Sequence, residues 1–104
     1  MNTAVKHDAG KPRMDLLPFD ALWEVGEVLD YGARKYSERN WERGMSWGRL
    51  MAAALRHLGL WASGADRDAE SGHRHLAHAA CCVLMLLALT CRGVGADDRR
   101  VDHG

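Results

Sequence analysis

HRHLAHAACCVLMLLALTC, residues 73–91, is the stretch whose reading decides the fold. After His78 it is apolar on almost every side, and a helix that is greasy all round has to be surrounded by other elements. The reading that follows is an all-α protein with this helix at its centre. Its longest apolar run, Ala79 to Leu89, falls short of the roughly 18 residues that span a bilayer, so a soluble chain and no membrane partner are expected.

Working outward, SGADRDAESG (63–72) is a polar loop dense in carboxylates. Before it, WGRLMAAALRHLGLWA (47–62) carries Leu50, Met51, Ala54, Leu58 and Trp61 as one helical stripe, with Ser46 placed as its N-cap. SERNWERGM (37–45) breaks the periodicity and reads as a loop. From Pro18 to about Tyr36, the residues Phe19, Leu22, Val25, Leu29, Ala33 and Tyr36 recur at three- and four-residue steps, which predicts another helix. Residues 1–17, with Gly10-Lys11-Pro12 and Leu16-Leu17-Pro18, read as an extended arm that docks. The last stretch, RGVGADDRRVDHG (92–104), has little to bury and reads as a frayed or disordered tail.

The expected architecture is thus one domain over residues 1–91: a small bundle of three main helices plus the extended arm. Three helices of this size do not easily wrap the apolar one, so completion by homo-oligomerisation, as a dimer or tetramer, is expected. The 104 residues, 47% hydrophobic and 27% charged, suffice for one core and not two. Fourteen Lys+Arg balance fourteen Asp+Glu. No net basic field exists to hold a nucleic acid polymer, and any phosphate-binding charge must be local. Cys81, Cys82 and Cys91 are an odd count within one apolar stretch, which suits reduced, buried thiols and a cytosolic setting. MNTAVKHDAGKPR lacks the apolar core of a signal peptide.

Glu24 and Glu27, three apart on the first helix, project from one face and can together grip a hard divalent cation; an ordinary solvated face carries the same pattern. His75 and His78 repeat that spacing where the apolar helix begins, as metal ligands, phosphate contacts or satisfied core histidines. Asp66, Asp68 and Glu70 in the acidic loop are further oxygen donors, Asp68 being the metal candidate among them. Lys11, Arg13, Lys35, Arg49 and Arg56 are placed to neutralise phosphate, or are surface charge. Trp41 or Trp47 could stack on a base or fill the core, and Asn40 offers the donor–acceptor pair that reads a purine edge. The chain has no phosphate loop ending in GK[ST], no dinucleotide fingerprint and no CxxC.

Four segments in order, DAGKPRMDLLP (8–18), YGARKYSERNW (31–41), SWGRLMAAALRHL (46–58) and ESGHRHLAHAACC (70–82), resemble the phage dATP/dGTP diphosphohydrolase domain family across residues 6–90. That family is similar to the MazG-related all-α NTP pyrophosphatases, helical bundles that work as dimers or tetramers. In that wider group an ExxE on one helix and an ExxD on a later one bind Mg²⁺. By position Glu24 and Glu27 match the first pair, while His75 and His78 stand where the second is expected.

Imidazoles in place of carboxylates make a softer site, favouring Mn²⁺ or another transition metal over Mg²⁺. Alternatively Asp66, Asp68 or Glu70 supplies the missing oxygens and the histidines touch phosphate. The resemblance implies a cytoplasmic enzyme of an infected bacterium that uses Mg²⁺ or Mn²⁺ to cut purine deoxynucleoside triphosphates into monophosphate and pyrophosphate. Glu24, Glu27 and His78 would be its catalytic residues. Two other readings use the same residues: a nucleotide-sequestering protein without turnover, and a carboxylate–histidine dimetal site, for which an ExxH lying within a helix is lacking.

Overall fold

A computed structural model describes residues 9–100. Three helices form in it: α1 Phe19–Lys35, α2 Trp47–Ala62 and α3 His75–Arg92, with single 3₁₀ turns at Met14–Leu16 and Asn40–Arg43. Among the described residues extended pairing is limited to isolated bridges, Ser46 with Ala96 and Arg67 with Arg74. The all-α expectation holds, and each helix boundary falls within about two residues of its sequence reading, as fraying ends allow. The amino-terminal expectation is met only in part: residues 1–8 lie outside the described chain, and Met14–Leu16 coils where an extended arm was expected.

Helices α1 and α2 each pack against α3. The α1–α3 seam is a small core of Val25, Val28, Ala77 and Cys81, with Met85 against it. On α2 the buried face is Leu50 and Ala54, with half-buried His57 continuing the same stripe. This corrects the sequence reading, which put Met51, Leu58 and Trp61 toward the core; all three are exposed. Phe19, Leu29 and Tyr36 of the predicted α1 stripe are also exposed. Too few helices share the apolar surface, so only part of each stripe finds a partner. By length and composition α3 would suffice to cross a membrane, unlike its shorter run Ala79–Leu89; in this fold it is the central helix, with His75 buried. Burial pushes the Cys81 thiol up to about 12, which keeps it protonated at neutral pH.

The carboxyl-terminal segment departs from the frayed tail expected of it. The Val94 N–H donates to the Leu89 carbonyl at 3.0 Å and closes the end of α3. The chain then runs back along the start of α2, where the Trp47 N–H donates to the Ala96 carbonyl at 3.0 Å and the indole N–H to Val94 at 2.9 Å. Ser46 holds the N-cap position of α2 but makes no side-chain cap bond. Asp98 acts instead, accepting the Gly48 N–H at 2.8 Å. Two glycines allow this approach. A Cβ on Gly48 would lie 2.7 Å from the Asp98 carboxylate, and one on Gly95, at φ +92°, 2.5 Å from the Met45 carbonyl. Residues 101–104, the rest of the expected tail, lie outside the described chain.

Candidate active site

The α2–α3 loop folds on itself at the amino end of α3. The Asp68 N–H donates to the His73 carbonyl at 2.8 Å, the Gly72 N–H to the Asp68 carbonyl at 2.8 Å, and the His75 N–H to the Asp66 carbonyl at 2.9 Å. The Asp68 carboxylate accepts the Ser71 N–H at 2.8 Å, a turn that Asp forms readily. Asp68 and Ser71 are thereby presented to the first turn of α3, which carries His75 and His78.

Four imidazoles gather there. His57 Nδ1 and His75 Nδ1 are 2.8 Å apart, and His75 is buried at 3% exposure. The His57 and His78 rings stack with centroids 4.5 Å apart and planes 8° from parallel. Tyr31 of α1 meets His73 and His78 edge-on, at 5.9 and 6.4 Å. His78 Nε2 is hydrogen-bonded to the Ser71 hydroxyl at 2.7 Å, with Asp68 at 3.9 Å. Burial, then the neighbouring imidazole's charge, lowers the pKa of both His57 and His78, so both are neutral at pH 7 and free to accept a proton or a metal. Burial opposes the charge on Asp68, but bonds from Ser71 outweigh it and hold its pKa below the usual carboxylate range.

Around this cluster, charges are paired across elements. Glu24 on α1 forms an ion pair with Arg74, the residue before α3, at 2.9 Å. Lys35, at the end of α1, donates to Glu70 of the loop, as does the Tyr31 hydroxyl at 3.0 Å. That carboxylate and burial pull the Lys35 pKa in opposite directions, and the carboxylate wins and raises it. Glu27 is exposed on the same side of α1, between Glu24 and Tyr31 in helical spacing.

Of the residues singled out in the sequence, Glu24, Lys35, Asp68, Glu70, His75 and His78 are brought together by these contacts. Arg56 is exposed on α2 next to His57, and Arg49 is exposed two turns earlier. Lys11 is exposed in the amino-terminal segment, and Arg13 is held by Asp15 through two bonds of 2.8 and 2.7 Å. Asn40 and Trp41 do not join the cluster. The Trp41 ring faces the Arg92 guanidinium at 5.5 Å, at the far end of α3, roughly 21 Å along the helix from His78 at 1.5 Å per residue. A purine-reading role for this pair beside the histidines of the same chain is therefore set aside. Trp47 is likewise committed to the carboxyl-terminal segment.

His57, Tyr31, Ser71 and Arg74 were not anticipated. A signal existed for His57: it is the polar member of the stripe Leu50–Ala54–His57, the position type that faces a partner helix.

Among the described residues His57, Asp68 and His75 offer ligand atoms within 4.8 Å of one another, so one cation could touch all three. Their mixture of two nitrogens and one oxygen suits a metal that accepts imidazole.

Comparison with known proteins gives the family. The model of the family described as dATP/dGTP diphosphohydrolase, N-terminal, matches residues 1–99. The chain belongs to that family. A relative, the dATP/dGTP diphosphohydrolase of Salmonella phage PMBT28, is 36% identical over 98 residues, covering 94% of this chain and 33% of the relative. The chain thus spans about a third of that relative's length. No solved structure matches it.

Proposed function

We propose that this chain hydrolyses dATP and dGTP to the monophosphate and pyrophosphate with Mg²⁺ or Mn²⁺, in the cytoplasm of an infected bacterium. The observation that carries the proposal is the convergence at the start of α3 of carboxylates, neutral imidazoles and cations from α1, α2 and the loop, in a member of this family. The metal would supply charge neutralisation and an acidified water. Glu24 and Glu27 would hold it, with Asp68, His75 and His78 as the other donors near the phosphates. Glu24–Arg74 and Lys35–Glu70 are solvent-exposed ion pairs, so opening them costs little. Arg74, Lys35 and Arg56 can then face phosphate oxygens while the carboxylates turn to the cation.

Water oxygen attacks the α-phosphorus, the bond to the bridging oxygen breaks, and pyrophosphate leaves. His78 Nε2, held by Ser71 in the free chain, accepts the water proton. Incubation with each dNTP and NTP, resolving monophosphate plus pyrophosphate from diphosphate plus phosphate, tests the reading. Monophosphate from dATP or dGTP is expected. Tight binding without turnover would replace the reading with nucleotide sequestration, and neither binding nor turnover would refute it.

We also propose that the chain functions as a homodimer or homotetramer. Supporting this is an open apolar groove of about 500 Å³, which includes Leu22, Leu58, Leu76, Val83 and Leu84. Val83 is 53% exposed, and Phe19, Trp23 and Leu87 are exposed as well. A groove lined almost wholly by apolar side chains suits an interaction site. The radius of gyration, 17.4 Å, exceeds the about 13 Å of a closed globule of this length. Val83→Arg is expected to shift the sedimentation velocity profile from oligomer to monomer. A wild-type chain that sediments as a monomer at tens of micromolar would contradict the proposal.

A further inference from the structure

One polar contact inside the cluster is unusual. His57 Nδ1 and His75 Nδ1 face each other at 2.8 Å, one from the buried stripe of α2 and the other from the first turn of α3. A hydrogen bond at that distance places a proton on one of the two nitrogens. In the tautomers that carry their protons on Nε2, both Nδ1 lone pairs can instead converge on a cation, and the surroundings favour that use. Asp68 brings a carboxylate oxygen within 4.8 Å of a ring nitrogen of each histidine and is fixed by the Ser71 N–H. His57 is oriented by its stack on His78. Such supports are what a metal site uses to hold its ligands in register.

We propose that His57, Asp68 and His75 form a binding site for a six-coordinate first-row transition dication of the Mn²⁺, Fe²⁺ or Co²⁺ type. Two nitrogens at about 2.1 Å from a metal lie about 3.0 Å apart when at right angles, and about 3.4 Å apart in a tetrahedron. The 2.8 Å separation needs only a slight opening for the first geometry and a larger one for the second. Two imidazoles and one carboxylate on a single face are the ligand set of non-haem Fe(II) centres, and they leave three positions open to water or phosphate oxygen. Mg²⁺, which prefers oxygen ligands and dehydrates reluctantly, is disfavoured here. The site does not depend on Glu24 and Glu27, and it stands whether or not the chain turns over a nucleotide.

Electron paramagnetic resonance of Mn²⁺, whose solution signal is lost on binding, tests the site on the nucleotide-free full chain. Wild type, His57→Ala, Asp68→Asn and the double variant Glu24→Gln/Glu27→Gln would be titrated, with circular dichroism confirming that each keeps its helices. His57 is half-buried against His75 and Asp68 lies on the loop, so the circular dichroism control reports whether either substitution disturbs the packing around buried His75. The expected result is a Mn²⁺ ion, separate from any that Glu24 and Glu27 hold, that is lost or weakened by tenfold or more in His57→Ala and Asp68→Asn and retained in the glutamate double variant. Unchanged titration of both His57→Ala and Asp68→Asn, or no Mn²⁺ bound by wild type below millimolar concentration, would overturn it and leave the two imidazoles as a hydrogen-bonded pair. Because no nucleotide is present, failure of the hydrolase reading would leave this result unaltered.

Discussion

Glu24→Gln combined with Glu27→Gln is expected to lower kcat for dATP and dGTP by about 100-fold or more, with little change in thermal stability. The substitution keeps shape and removes two negative charges from the side of α1 that looks toward Arg74 and the loop. If these carboxylates hold the cation, transition-state stabilisation of several kcal/mol goes with them; each 1.36 kcal/mol is about a tenfold loss in rate. The structural loss is far smaller. Glu24 is 41% exposed at its side chain, and an ion pair of that kind contributes at most about 1 kcal/mol. The two readouts therefore separate: steady-state kinetics should collapse while the circular dichroism melt barely moves. Full activity in the double variant would remove Glu24 and Glu27 from the mechanism.

Leu89→Ala should have the opposite profile. Leu89 is 0% exposed, in the last turns of α3, and its carbonyl accepts the Val94 N–H where the chain turns back toward α2. Truncating a fully buried leucine costs about 2–5 kcal/mol, a large share of the roughly 5–15 kcal/mol that holds a domain together. In a domain this small each kcal/mol lowers Tm by about 4–8 °C. The expected outcome is a melt at least about 8 °C below wild type, measured by circular dichroism at fixed protein concentration so that any self-association contributes equally. A shift under about 3 °C would mean that the end of α3 is not the anchored element described above.

The helices were legible because their information is local. Apolar spacing over 18–36, 47–62 and 73–91 carries its own period, and the order of the elements followed from the breaks between them. Glu24, Asp68, His75 and His78 stood out for a similar reason, being chemically capable residues at helical or loop positions that one face could share. What the sequence hid is long-range. The apolar side of α2 is wider than the strip that α3 covers, so Met51, Leu58 and Trp61 read as core while Leu50, Ala54 and His57 take that place.

The cap that Asp98 gives Gly48, fifty residues away, has no local signature, and a polar carboxyl-terminal segment therefore looked frayed. Trp41 and Asn40 carry the side chains that suit a purine, yet the turn at Asn40–Arg43 places Trp41 against Arg92 and not at the histidines. Composition names a chemistry; only the packing says which residues can share it.

Hydrolysis at the α-phosphorus by this chain is the central claim, and isotope placement tests it most directly. Turnover of dATP or dGTP by the purified protein in ¹⁸O-labelled water, with the products weighed by mass spectrometry, is predicted to put one ¹⁸O into the nucleoside monophosphate and none into the pyrophosphate. Label in the pyrophosphate, a labelled free phosphate beside a diphosphate, or no labelled product would contradict the account.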